Sequence, residues 1–556
     1  MYMAIIKKRF GNRVYLYEVV VKRINGKPRI VNQKYLGRAD EVTGKLVKKP
    51  TAHSARVYEF GAIAALLDIA KEIKFAEVIN EVVAKREQGI SVGEYILLAA
   101  LNRAVSPRSK NQLWDWYRST MLWRYCGYKK KLLRSQRFWD HMNVVSKKDI
   151  KEIEARLTEN IISKFGIDLR CLIYDATNFH TYINTCTNST LAQRGHNKQK
   201  RDDLRQIGLA LMVSREFHIP LFHEFYKGNR ADSRQFSSVI TSLIKHYTVL
   251  SRGCKDITLI FDKGNNSRKN ITRFSKGPYH FVGSLVVSHH KDLMAMPMRK
   301  YKGLQDIDLE GIEAYRSKKE VFGKTRTVII TFNPKFYKAQ LRGIIVSLKK
   351  KIVQMRKLQA CIKKRKYDAA KIETKVKTIV QSQYIKNIIK WNLVTRGKNI
   401  KLNWKIDRQI LEKIKRERLG KKILFTDNHH WTTEEIIKAY HGQYKIEHAF
   451  KQMKNPFFVS WKPLFHWTDQ KIIVHGFYCV MALMLVSLLV KRVHSYGISK
   501  NSLQLLSSLS EIKEVEIVYK DKKDGLRSEY ILNELSPEGK ELFTCLGLNK
   551  YRKMYL

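Results

Sequence analysis

Three carboxylates in this chain sit where distant segments could bring them together. Asp175 ends the apolar run of DLRCLIYDATNF, and Asp262 ends that of ITLIFDKGNNS. Glu447 lies in WTTEEIIKAYHGQYKIEHAFKQMKN, a segment with helix signals at both ends. Thr432 and Glu435 have capping-box spacing, and Asn455-Pro456 should stop the helix. Cutting a phosphodiester needs an activated water or hydroxyl and a leaving oxygen stabilised against charge. Two divalent ions roughly 3.5–4 Å apart can supply both. Hard Mg2+ prefers carboxylate oxygens and keeps water and phosphate oxygens as its other ligands. Three carboxylates could hold two such ions, with one aspartate bridging.

The residues around Glu447 are patterned. Counting from Tyr440, Gln443, Glu447 and Lys454 follow at offsets 3, 7 and 14. At about 100° per residue, all four fall within an arc of roughly 60° on one continuous helix. Ile436, Ile446, Ala449 and Met453 occupy the other faces. An acid and a base on one stripe also fit a surface ion pair, which is worth little. Two strand-terminal aspartates ahead of the helix, in the right order, weigh toward a site.

Such acids need strands and a packed helix to position them. From residue 168 the pattern reads strand, strand, strand, helix, strand, helix, strand: DLRCLIYDATNF, RQIGLALMVS, IPLFHEFYKG, DSRQFSSVITSLIKHY, ITLIFDKGNNS, one helical piece, and YHFVGSLVVS. That is the order of a ribonuclease-H-like domain, whose first and fourth strands lie side by side and parallel. Function in α/β sheets gathers at the carboxyl ends of such strands. The fold class expected is a multidomain α/β protein. Its ribonuclease-H-like core (166–299 and 431–495) is interrupted by a β-rich and helical insertion at 300–430. A β-hairpin region (1–50), with Asn25-Gly26 as its turn, and a basic helical domain (51–165) precede the core. A C-terminal region, 496–556, follows. The helical domain carries Trp114, Trp116, Trp123 and Trp139, each more simply a core aromatic than a ligand contact. Within the insertion, the basic stretch LKKKIVQMRKLQACIKKRKYDAAK makes Lys363, Lys364, Arg365 and Lys366 candidates for phosphate contact, against a solvated helix face.

Composition narrows the partner. Lys and Arg number 106 against 50 acidic residues, a formal charge of +56 over 556 residues. Such a field gathers polyanions, and nucleic acid is the expected one because each neutralised phosphate releases a counterion. The seven cysteines are widely spaced, without zinc-ribbon spacing, and read as reduced thiols. Ile472 to Val490 is long enough to span a bilayer. It holds His475, Gly476 and Ser487 and occurs once, so a buried core helix is the expectation.

Taken in order, these motifs resemble the DDE transposases of prokaryotic insertion sequences, in the group marked by a Tyr-Arg-Glu-Lys signature. Tyr440, Glu447 and Lys454 match that signature, and Gln443 stands where Arg is expected. IYDATNF, FYKGNRAD, IFDKGNNS and KPLFHWTDQKIIVHGFYCVMAL extend the resemblance over about 165–490, and YLGR near the N-terminus also fits. The resemblance implies Asp175, Asp262 and Glu447 as catalytic metal ligands for Mg2+, with Mn2+ able to substitute. It implies Tyr440 and Lys454 as DNA contacts, and an aromatic such as Trp404 or Trp431 stacking on a flipped base. Gln443 lacks the charge of Arg. Lys451, one turn beyond Glu447, is the candidate to share phosphate binding with Lys454. The implied activity is cleavage of double-stranded DNA at the element's ends and transfer of the 3' ends to target DNA. The enzyme would be dimeric on DNA, cytoplasmic and nucleoid-associated. A nuclease of the same fold that cuts without joining is one rival. A catalytically inactive, domesticated DNA-binding protein is another, disfavoured by the intact acids.

Overall fold

The computed structural model describes residues 2–39, 52–83, 89–183, 187–195, 201–230, 232–364, 368–396, 399–520 and 526–552. They form two compact units, one of residues 1–64, 117–127 and 506–556, the other of 65–116 and 128–505. The smaller unit holds two three-stranded sheets. In the first, Tyr2–Phe10, Arg13–Ile24 and Lys27–Arg38 run antiparallel. Asn25 and Gly26 turn the expected hairpin with φ of 49° and 76°, the left-handed values a type I′ turn requires. In the second, Lys513–Lys520 lies between Leu526–Leu532 and Ala52–Glu59. A helical domain over 51–165 is therefore corrected. Residues 52–59 are a strand, because their partner strand lies near the C-terminus, and the helical spacing begins only at Gly61.

In the larger unit, helices α1 (Val92–Val105) and α2 (Lys147–Phe165) precede a ten-stranded sheet. Its strands begin with β1 (Cys171–Thr181), β2 (Gln193–Arg194), β3 (Arg205–Ser214) and β4 (Pro220–Lys227). Then come α3 (Asp232–Leu250), β5 (Thr258–Ile260), α4 (Arg268–Phe274) and β6 (His280–Leu285). β1, β3 and β4 pair antiparallel, while β5 pairs parallel with both β1 and β6. Leu172, Ile173, Leu259, Ile260 and Phe281 are fully buried. Parallel strands buried on both faces carry such continuous apolar runs.

Residues 300–430 do not form a separate insertion throughout. β7 (Lys302–Gly303), β8 (Glu313–Val321), β9 (Lys324–Phe332) and β12 (Lys421–Thr426) extend the same sheet, in the order β7-β8-β9-β12-β6-β5-β1-β3-β2. Val328, Ile329 and Ile330 in β9 are fully buried and need cover on both faces, which the common sheet provides. The part with its own core lies between β9 and β12. It comprises α5 (Pro334–Lys364), α6 (Ala369–Val380), α7 (Ile385–Ile388), the hairpin β10 (Ile389–Arg396) and β11 (Asn399–Ile406), and α8 (Arg408–Glu417). Met355, Ile372, Val376 and Ile388 centre that core.

After β12 come α9 (Thr433–His441), α10 (Tyr444–Lys454) and α11 (Asp469–Ser495). The Thr432–Glu435 capping box forms as expected. Among the described residues, α11 is the one helix long and apolar enough to cross a membrane, and 94% of its most apolar window is buried inside the protein. At Gly476 α11 comes close to its neighbours: a Cβ there would lie 2.3 Å from Phe225 Cζ and 2.9 Å from Trp461 Cη2. Gly476→Leu is expected to overpack this contact and destabilise the fold by about 1–3 kcal/mol or more. Chemical denaturation measures it, and an unchanged midpoint would show that α11 does not pack here.

Candidate active site

Asp175 and Asp262 owe their placement to one parallel ladder. Cys171, Leu172 and Ile173 of β1 stand opposite Thr258, Leu259 and Ile260 of β5. Each aspartate lies two residues beyond the last recorded pair, Ile173 and Ile260. Continued along that register, the two come at matching positions just past the ladder, whose strands lie about 4.8 Å apart. Asp262 lies just past the end of β5 and keeps extended dihedrals (φ −78°, ψ 161°) before a 3-10 turn over Lys263–Asn265.

The acidic helix differs from a single continuous rod. A turn at Gly442–Gln443 divides it into α9 and α10, with Gly442 and Gln443 both in αR conformation. A Cβ on Gly442 would sit 3.1 Å from the Ala439 carbonyl and 3.5 Å from Ile173 Cδ1, so the turn comes close to β1. Both turn residues keep αR dihedrals, and Tyr440, Gln443 and Glu447 of the expected stripe line one cleft, while Lys454 is not among its lining residues. Tyr440 belongs to α9 and is only 7% exposed. Its hydroxyl donates to Ser284 Oγ at 2.8 Å and lies 3.4 Å from Asp262 Oδ1. Burial raises the phenol well above its ordinary range. The Asp262 and Asp175 charges push the same way, and the Ser284 bond opposes them. Tyr440 is thus a floor residue of the cleft that Glu447 also lines, and it touches Asp262.

α10 packs along β1. Lys454 Nζ donates to Thr177 Oγ1 at 2.7 Å and lies 5.3 Å from the Phe179 ring centroid. Seven residues back along the helix, about 10 Å, Glu447 is exposed and faces the cleft that Asp175 and Asp262 also line. Gln443 lines it too. Lys451 is exposed on α10 and is not among the lining residues. Lys363 and Lys364 end α5, but their side chains, with Arg365 and Lys366, lie outside the described residues. Trp404 packs against the core of the inserted part, opposite Trp391, and Trp431 is half-buried.

The cleft measures about 1780 Å³. Its far wall comes from the inserted part, with Lys386, Lys390, Lys413 and Arg418, joined by Lys421 and Lys422 of β12. Eight Lys or Arg line it against four acids. Sequence reasoning missed this wall, because nothing in the chain order says which lysines of the insertion turn inward. It also missed Ser284, although a lone polar residue inside FVGSLVV was a usable signal. Among the described residues no three His, Cys, Asp or Glu side chains gather tightly enough to hold a metal ion. Two aspartates at matching positions, with Glu447 in the same cleft, are nonetheless an oxygen-only donor set, the type that suits a hard divalent cation.

The sequence model of the transposase DDE domain matches residues 167–485, more than half of the chain. Among solved structures, a piggyBac transposase synaptic complex with hairpin DNA aligns with a TM-score of 0.38. It is 9% identical, over 80% of this chain and 79% of that one. No curated protein matches the chain.

The Tyr440–Ser284 contact can be tested by itself. Tyr440→Phe and Ser284→Ala should each cost about 1 kcal/mol. The double variant should cost less than their sum, with a coupling of at least about 0.5 kcal/mol. Strict additivity in denaturation would show that the two hydroxyls do not meet.

Proposed function

The chain belongs to the family of transposases that carry a DDE domain, and from that premise we propose that it cuts DNA at the ends of its own element and joins the 3' ends to target DNA. The observation that carries this reading is the matching placement of Asp175 and Asp262 just past neighbouring parallel strands, with Glu447 in the same cleft. Three antiparallel strands followed by two parallel ones support a ribonuclease-H-like core. Tyr440, Glu447 and Lys454 support membership of the Tyr-Arg-Glu-Lys group of prokaryotic insertion sequences. The element would work in the cytoplasm at the nucleoid, as a dimer on paired ends.

Asp175, Asp262 and Glu447 would hold divalent ions, Mg2+ or Mn2+. Bound ions supply an acidified water or hydroxyl and neutralise the leaving oxygen. The remaining work falls to the chain itself. The exposed lysines of the far wall, Lys386, Lys390, Lys413 and Lys422, would hold the DNA backbone against the acids, which would otherwise repel it, while Lys421 is buried on the Met294 carbonyl. Tyr440 braces Asp262 from beneath, and Ser284 braces Tyr440. Lys454 ties α10 to β1, and so holds Glu447 near the aspartates. Gln443 faces the cleft as a neutral amide, and Lys451 would add the missing charge one turn beyond Glu447.

Single changes Asp175→Ala, Asp262→Ala and Glu447→Ala should each lower Mg2+-dependent cleavage of element ends by roughly a hundredfold or more. Affinity for the ends should change by less than about threefold, since phosphate contacts dominate it. Near-parental cleavage by any variant removes that residue from the site. Cleavage by the parent without joined products would favour a nuclease over a transposase.

A further inference from the structure

The inserted part between β9 and β12 folds around an apolar cluster of its own. Its buried side chains run from Ile344 in α5 to Leu419 just past α8, and the half-buried ones packed on them begin at Tyr337. Among the described residues, none of the sheet's enters that cluster. A part with its own core moves relative to its neighbour unless a large apolar interface joins them. Its position over the cleft therefore depends on how it is attached.

The attachment is narrow. The chain leaves the sheet at Asn333, after β9, and returns at Gly420, before β12. β9 and β12 are paired, with Phe332 opposite Lys421, so both crossings start from one place. They are bonded to each other: the Asn333 N–H donates to the Gly420 carbonyl at 2.9 Å. The fastenings around them come from the first seven residues of α5. The Gly420 N–H donates to Gln340 Oε1 at 2.8 Å. The Tyr337 ring centroid lies 5.9 Å from that of Phe332, and Lys422 Nζ lies 5.5 Å from that of Phe336.

Gly420 has a φ of 73°, and a Cβ there would lie 2.8 Å from both Phe332 Cε2 and Tyr337 Cβ. Only glycine fits this crossing without strain. A few residues at the ends of elements, able to absorb backbone rotation, are what a hinge consists of.

Beyond this pivot the inserted part overhangs the acids. Lys386, Lys390 and Lys413 are exposed and line the cleft of about 1780 Å³ that Asp175, Asp262 and Glu447 also line. A DNA backbone lying at the acids gains contacts with these lysines when the part swings inward. A ligand that binds one arrangement better shifts the protein toward it.

We propose that the inserted part is a lid, which pivots at Asn333 and Gly420 and closes its lysines on DNA lying at the acids. This rests on the reading of the cleft as a DNA site, and adds to it a conformational step.

The test is a distance, measured in the full-length protein by double electron–electron resonance. Nitroxides are carried by p-acetylphenylalanine in place of Lys269 on α4 and of Lys371 on α6, both exposed. A mixed-sequence DNA duplex is the ligand, and anisotropy reports its binding. Saturating duplex should move the main distance by more than about 2 Å and narrow its distribution. Gln340→Ala removes one fastening, so it should broaden the distribution of the free protein and leave the DNA-bound distance in place. The same distribution with and without bound duplex shows a fixed wall and overturns the lid alone. Parental width in Gln340→Ala overturns the pivot at Gly420. A protein that binds no duplex overturns the DNA reading, and the lid with it.

Discussion

The parallel ladder that sets Leu172 opposite Leu259 and Ile173 opposite Ile260 joins two segments far apart in the chain and fixes the spacing of their terminal carboxylates. A parallel pair needs a crossover, and α3 provides it after two antiparallel strands. Both faces must then be covered, because the ladder residues are apolar throughout. α10 lies along β1 and α11 is buried nearly over its whole length. Covering β1 and positioning Glu447 are in this way one structural act.

Charge follows from that geometry. Carboxylates brought side by side repel each other. Asp175 and Asp262 are only half-buried, so solvent screens them, and eight Lys or Arg line the same cleft. The same field that steadies the acids draws in a polyanion. An overall charge of +56 makes this a property of the whole chain, and in the cleft bases and acids line one space.

Much of this arrangement was legible in the chain. The apolar runs ending at Asp175 and Asp262, the hairpin at Asn25-Gly26 and the capping box at Thr432 are local signals, and each appears in the structure. The buried role of α11 followed from the polar residues inside an otherwise apolar run. What stayed hidden depends on contacts between distant segments. The turn at Gly442–Gln443 keeps αR dihedrals, so no helix-breaking residue announces it. The pairing of Ala52–Glu59 with Lys513–Lys520 joins opposite ends of the chain. The strands at 313–332 and 421–426 read as an insertion because they join the sheet only through β12, whose partner β6 precedes it by many residues. Ser284 was visible as a polar residue in an apolar strand, but its role depends on Tyr440 reaching it from another helix.

The central claim is that Asp175, Asp262 and Glu447 act on one pair of divalent ions. Crystals of the full-length protein bound to an element end and soaked in Mn2+ would test it by anomalous scattering. The account predicts manganese peaks in contact with Asp175 and Asp262, at least one of them also within reach of Glu447. Manganese bound elsewhere in the cleft, with both aspartates unliganded, would contradict it.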